Sequence, residues 1–146
     1  MSVQNNQEEE LRKLSAELQL LEQTAQTLQQ RINMMNAALT DLTYANTTMN
    51  GIKKEKDNAE LLVPIGGSSY IKVKLANVDK VIVGMGAGVS IEKTLVEAKT
   101  IIDERLNELQ KTMNSAQQQF AQIVDRINKG RKRLETIFSS TRSGKQ

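Results

Sequence analysis

The most regular feature of the sequence is the spacing of apolar residues along two long stretches. In residues 11–49, apolar side chains recur at alternating steps of three and four, and polar Asn46 is the one exception. Residues 95–137 repeat the spacing with a single irregular step between Ala98 and Leu106. Because this is the heptad pattern of a coiled coil, the sequence predicts two long helices, over residues 8–57 and 94–139.

The two apolar series can be aligned with each other in opposite directions. In the register that fits both helix lengths, Leu14 faces Gly130 and Ala25 faces Phe120. Large residues then oppose small ones, as interdigitated packing requires. We therefore predict that the helices pair within the chain as an antiparallel hairpin, with N-terminal caps at Asn6 and Thr94.

Residues 60–93 have a different pattern, typical of short strands. Residues 70–75 alternate strictly between apolar and polar side chains, and glycines at 66–67 and 84–88 mark tight turns. This arrangement predicts two β-hairpins, with Pro64 at an edge or a bulge. Four short strands cannot cover their own faces, and a slender helix pair cannot cover them either, so this region is predicted to form the contacts of an oligomer.

Composition narrows the function classes. The chain of 146 residues contains no Cys, no His and no Trp. Thiolate metal sites and histidine acid–base chemistry are therefore excluded, which argues against an enzyme, and no cofactor is expected. No apolar run is long enough to span a bilayer, and the first ten residues are polar and acidic, so we expect a cytoplasmic protein without a membrane partner.

Charge is unevenly distributed, although the net charge is only +3. Glutamates at 8–10 open the chain, and basic residues at 129–133, 142 and 145 close it. One interpretation is a nucleic-acid patch on the basic segment. The other is a pair of helices whose end charges complement their dipoles, and the lack of an aromatic stacking platform favours this second interpretation.

Two further motifs suggest chemistry but fit it poorly. The glycines Gly84, Gly86 and Gly88 follow an apolar strand, as in a dinucleotide-binding loop, but the third glycine is one position early and strand-like residues follow it. A hairpin turn explains them better. Carboxylates in residues 97–108 alternate with basic residues at helical spacing, which is typical of a solvated helix face rather than a metal site.

Some apolar residues are not explained by the helix pairing. In the predicted register Ile137 faces Gln7, and Phe138 has no partner, while Met1 and Val3 lie near the same end of the helix pair. Leu20 and Val124 lie on one flank. These six residues are candidates for binding exposed apolar segments of other proteins. Ordinary surface residues and frayed termini are the alternative explanation.

The segments at residues 61–66, 70–75, 81–88 and 92–98, flanked by two long helices, resemble the α-type subunits of archaeal prefoldin. The resemblance implies a chaperone fold of class α+β, mainly α: an antiparallel coiled-coil hairpin whose central pair of β-hairpins joins an oligomeric β-barrel. It also implies the α-type, because the β-type has one hairpin. The whole chain would be one such domain.

The resemblance further implies that two α-type and four β-type subunits form a hexamer. This complex would hold unfolded or nascent polypeptides at its helix tips without ATP and deliver them to a group II chaperonin. The implied assembly residues are Leu61, Val63, Ile65, Ile71, Val73, Leu75, Val81, Val83 and Met85. A coiled-coil scaffold without chaperone activity, and a nucleic-acid-binding module at the basic segment, are the alternatives.

Overall fold

The computed structural model describes residues 2–143, which form two long helices and four short strands. Helix α1 spans Ser2–Ile52 and helix α2 spans Leu95–Ser143. Between them lie strands β1 (Glu60–Gly66), β2 (Ser69–Lys74), β3 (Lys80–Gly86) and β4 (Val89–Thr94). The predicted mainly helical fold with two β-hairpins is confirmed. Within residues 2–143, neither helix has an apolar stretch that would cross a membrane.

The predicted N-terminal cap is present in α2 and absent in α1. The hydroxyl of Thr94 accepts a hydrogen bond from the N–H of Glu97 at 3.2 Å, which is the predicted N-cap of α2. Helix α1 already begins at Ser2, so Asn6 lies inside the helix and does not cap it. The later start was predicted from Asn6 followed by Glu9, a capping pattern, but such residues are also compatible with the interior of a helix.

The chain divides into two compact units, and α1 and α2 pass through both. The first unit contains the residues up to 37 and those from 111 onward. In it α1 and α2 pack against each other around Leu18, Leu21 and Ile127, with Leu14, Ala25, Ile123 and Leu134 at the margins. The apolar heptad positions therefore form the core of this unit.

The register of the first unit differs from the predicted one by one helical turn. A side-chain carbon at Gly130 would lie 2.6 Å from Leu18 Cδ2 and 3.7 Å from Leu14 Cδ1. Gly130 thus faces Leu18, four residues from the predicted Leu14. The absent side chain makes room for Leu18, which is buried.

One ion pair between the helices requires the same shift. Arg131 Nη2 lies 2.9 Å from Glu22 Oε1, whereas the predicted register would separate these residues by about nine residues, roughly 13 Å along the axis. On the opposite flank, Arg133 pairs with Glu10 at 2.8 Å and Arg126 with Glu17 at 3.2 Å. Because the predicted register would already bring the members of each of these two pairs within one residue of each other, they do not distinguish the two registers. The register was wrong because a shift of half a heptad still places apolar residues opposite apolar residues.

The second unit contains residues 38–110. Its core is a cluster of Met49, Val83, Leu95, Ala98 and Ile102, in which one strand residue packs among helix residues. We call the four helix residues of this cluster the helix base. Asn46 lies one turn before Met49, and its side-chain oxygen is buried without a hydrogen-bond partner.

The two β-hairpins repeat one backbone design. Strand β1 pairs with β2 from Glu60–Lys74 to Gly66–Ser69, and β3 pairs with β4 from Lys80–Thr94 to Gly86–Val89, so equivalent positions are 20 residues apart. Each hairpin has a bulge at the same place. Each turn has two central residues at positive φ, Gly67 and Ser68 or Ala87 and Gly88, as in a type I′ turn. The two hairpins form separate two-stranded sheets.

Candidate functional site

The first candidate surface is one face of the β1–β2 hairpin. Val63 pairs with Ile71 and Leu61 with Val73, so these four apolar side chains share one face. Val63 is 41% exposed and Ile71 is also exposed, whereas Leu61 and Val73 are half-buried. We call these four residues the open face. Ile65 at the bulge is exposed, and Leu75, just after β2, is half-buried.

The matching face of β3–β4 is covered within the chain on its β3 side, while Ile91 of β4, opposite Val83, is 42% exposed. Val83 is only 6% exposed because it packs into the helix base, and Val81 packs against the same cluster. Arg105 of α2 also contacts this hairpin. Its Nη2 donates a hydrogen bond to the carbonyl of Gly84 at 2.7 Å and lies 3.9 Å from Met85 Sδ. Of the three residues of this hairpin expected to contact other subunits, Val83 and Val81 pack against the chain's own helices, whereas Met85 is 45% exposed beside Arg105.

The opposite face of β1–β2 also carries apolar residues that the sequence analysis did not select. Leu62, Pro64 and Tyr70 are exposed there, and Pro64 lies directly opposite Tyr70. On β3–β4 the exposed apolar residue of the corresponding face is Ile82. The uninterrupted apolar run at residues 61–65 was the available indication, since a strand with one buried face alternates.

The second candidate surface is a groove at the end of the helix pair in the first unit. It has a volume of about 330 Å³ and is lined by Gln4, Gln7, Glu8, Leu11, Ile137, Phe138 and Thr141. Phe138 is 52% exposed, and Val3 nearby in α1 is 67% exposed. Of the predicted binding residues, Phe138 therefore offers exposed apolar surface in the groove, and Val3, next to Gln4 in α1, is exposed but does not line it. Met1 lies outside the described residues.

Ile137 does not have the expected environment. It is buried, whereas the predicted register left it without an apolar partner. The shift of one turn brings Ile137 level with Leu11 instead of Gln7, so it packs between the helices. Ile137 forms the floor of the groove and adds little to its exposed apolar surface.

Leu20 and Val124, the two predicted flank residues, do not line the groove that contains Phe138. Leu20 is exposed and lines a separate shallow groove with polar neighbours that include Thr24, Thr27 and Gln119. Val124 is half-buried and is not among the residues that line it. The structure therefore does not bring Leu20 and Val124 together as the sequence analysis expected.

The basic segment is largely matched by acids. Arg131 and Arg133 form the ion pairs with α1 described above, and Lys129 Nζ lies 3.0 Å from Asp125 one turn earlier. These cations are directed at carboxylates of the same chain and not at an external phosphate backbone. The geometry thus favours helix pairing over nucleic-acid binding as the purpose of this segment.

The motifs considered for chemistry are structural in this fold. Residues 84–88 form the bulge and turn between β3 and β4, with no helix at the point where a phosphate-binding helix would begin. Within the part of the chain that the structure describes, no group of three or more His, Cys, Asp and Glu residues is placed to hold a metal ion.

Comparison with known proteins identifies relatives over most of the chain. The family model described as prefoldin subunit matches residues 21–138. The prefoldin subunit alpha of Pyrococcus horikoshii is 31% identical over 135 residues, covering 92% of this chain and 90% of the relative. The prefoldin subunit alpha of Methanosarcina mazei is 32% identical over 139 residues, covering 93% and 95%.

A solved structure shares the fold. A chain of the filamentous PFD from Methanocaldococcus jannaschii aligns with a TM-score of 0.66 and 22% sequence identity. The alignment covers 77% of this chain and 93% of that one. The fold of this chain is therefore similar to that of a solved protein.

Proposed function

Because the chain belongs to the prefoldin family of chaperone subunits, we propose that it is an ATP-independent holdase subunit that binds unfolded polypeptides at the free end of its helix pair. The open face of β1–β2 would supply contacts for assembly with β-type subunits, two α-type with four β-type. The complex would act on unfolded or nascent chains in the cytoplasm and deliver them to a group II chaperonin.

The observation that carries this proposal is the exposed apolar surface at the groove formed by both helices near Phe138. Phe138 and Val3 are more than half exposed on helices whose other apolar residues mostly serve the pairing. Gln4 and Gln7 line the groove beside them. Such a surface offers apolar contact to an extended client and side-chain amides that hydrogen-bond to its backbone.

Holding a client in this way needs binding alone. A side chain such as Phe138 contributes about 1–2 kcal/mol when half of its apolar surface is covered, which by itself is weak. Several subunits in one assembly multiply weak contacts through effective concentration, so that a client is retained and yet released piece by piece. No nucleotide or metal is required for such a cycle.

Aggregation of a chemically denatured model protein tests the proposal. The full chain, assembled with a β-type prefoldin subunit of the same organism, is expected to suppress light scattering at stoichiometric amounts. Replacing Val3 and Phe138 together by Ser should weaken suppression about tenfold, since two apolar contacts are lost on each α-type subunit.

The matched control is Met34→Ser. Met34 is 74% exposed on α1, outside the groove, so this variant should suppress aggregation like the original chain. If assembled complexes of the original chain do not suppress aggregation at all, the holdase proposal fails and the scaffold interpretation replaces it. If suppression is intact in the double variant, the binding surface lies elsewhere.

A further inference from the structure

The groove that contains Phe138 has a carboxylate among the side chains that line it. Of the described residues that line this groove, only Glu8 is charged, and the others are apolar or uncharged polar residues. Glu8 is exposed. A carboxylate adds nothing to the binding of a purely apolar segment, because it must keep its water or find a partner. The role of Glu8 therefore lies either within the chain or in what the groove binds.

The roles of other glutamates in α1 do not apply to Glu8. Glu10, Glu17 and Glu22 each pair with an arginine of α2, at distances of 2.8 to 3.2 Å. Within residues 2–143, Glu8 has no ion pair, either with α2 or with Arg12 one turn later in α1. Glu8 also lies in the second turn of α1, beyond the first turn in which the helix dipole stabilises an acid. Its carboxylate is available to a cation from another molecule.

The charged residues beside the groove do not change this sign. Glu9 follows Glu8, and Arg142 follows Thr141, but neither of them lines the groove. Their charges are opposite. Glu8 therefore determines which charge on a bound segment is attracted.

Phe138 and Glu8 are close enough to act on one bound segment. Both line the same groove of about 330 Å³, and Phe138 is 52% exposed. A guanidinium or ammonium group can lie on an aromatic ring and at the same time pair with a carboxylate. An apolar neighbour in the bound segment would cover the rest of the ring.

We propose that Glu8 makes this groove select client segments in which a basic residue lies next to an apolar one. The inference rests on the proposed holdase function and names the class of client that the groove prefers. The apolar contact holds the segment, and the carboxylate distinguishes a basic segment from a neutral or acidic one.

Fluorescence anisotropy with three labelled, unstructured peptides of equal length tests the inference. Each peptide has three phenylalanines in a glycine–serine chain, and each phenylalanine is followed by arginine, glutamine or glutamate. The full chain, assembled with a β-type prefoldin subunit of the same organism, should bind the arginine peptide about fivefold more tightly than the glutamine peptide. The glutamate peptide should bind most weakly, and high salt should reduce the differences, because the charges are exposed.

The substitution Glu8→Gln should reduce the preference for the arginine peptide to less than about twofold and leave the glutamine peptide unchanged. The matched control is Glu9→Gln, which removes the same charge from the next residue, outside the groove, and should keep the preference. Equal loss of preference in the two variants would overturn the inference in favour of the overall charge of the helix end. Equal binding of the three peptides to the original assembly would also overturn it.

The variant Phe138→Ser separates this inference from the proposed function. It should weaken the binding of all three peptides. If it does so while the peptide charge has no effect, the groove holds clients without selecting them, so that the inference fails and the proposed function stands. If the original assembly binds none of the peptides, the proposed function fails and the inference fails with it.

Discussion

The β1–β2 and β3–β4 hairpins have the same strand pairing, bulge and turn, yet only β3–β4 is part of the chain's own core. The shared backbone follows from local sequence, because the turn residues and the bulge fix the hairpin geometry. The different burial follows from Leu95, Ala98 and Ile102, which provide one docking position. Local sequence thus determines the backbone of each hairpin. Whether a face of the hairpin is buried depends on whether a helix surface of the chain packs against it.

The largest expected difference between the two hairpins is in the free energy of unfolding of two alanine variants. Val83→Ala removes two methyl groups from a packed cluster and should lower the free energy of unfolding by about 2 kcal/mol. Val63→Ala removes the same atoms from the open face and should change it by less than about 0.5 kcal/mol in the isolated chain. Denaturant unfolding followed by circular dichroism measures both, and equal losses would mean that the open face is covered within the chain.

A substitution of Asn46 in α1 tests whether a change near the helix base affects β3–β4 and not β1–β2. Its buried, unpaired oxygen lies next to the helix base, so Asn46→Leu should stabilise the second unit by about 1.5 kcal/mol. Thermal unfolding measures the change, and hydrogen exchange should slow in β3–β4 and not in β1–β2. A loss of stability would show that Asn46 is needed there, for instance to fix the register of the helices.

Arg105 should affect one hairpin and not the other. Arg105→Gln shortens the side chain that donates to the Gly84 carbonyl, a contact worth about 1 kcal/mol for a partly exposed group. Amide hydrogen exchange in β3–β4 should then become about fivefold faster, while β1–β2 serves as the internal control. Faster exchange in both hairpins to the same degree would contradict the independent docking of β3–β4.

The smallest expected effect concerns the turns. Ala87 adopts φ of 51°, and the equivalent residue of the first hairpin is Gly67, with φ of 55°. Ala87→Gly should stabilise the second hairpin by about 0.5 kcal/mol, because the left-handed conformation is unfavourable for alanine. Gly67→Ala should have the opposite effect on the first hairpin. Thermal unfolding of both variants checks the signs, and two changes of the same sign would contradict the equivalence of the turns.

Much of the candidate surface was predictable, and the exceptions have identifiable causes. Phe138 and Val63 were selected because they lie outside the helix pairing or in an alternating strand, and both are exposed. Leu62 was missed because only every second residue of β1 was assigned to a contact face. Ile137 and Val83 were selected as contact residues, but each packs against its own helices, and only the three-dimensional packing reveals this.

The sequence by itself determined the helices, the two hairpins and their turns, because heptad spacing, alternation and glycines act over a few neighbouring residues. The tertiary structure decided which hairpin rests on the helix base and which register the helices adopt. In the first unit, apolar residues match in both registers, and only the space at Gly130 and the ion pair of Glu22 with Arg131 distinguish them. Those contacts join residues more than a hundred positions apart, so no local pattern contains them.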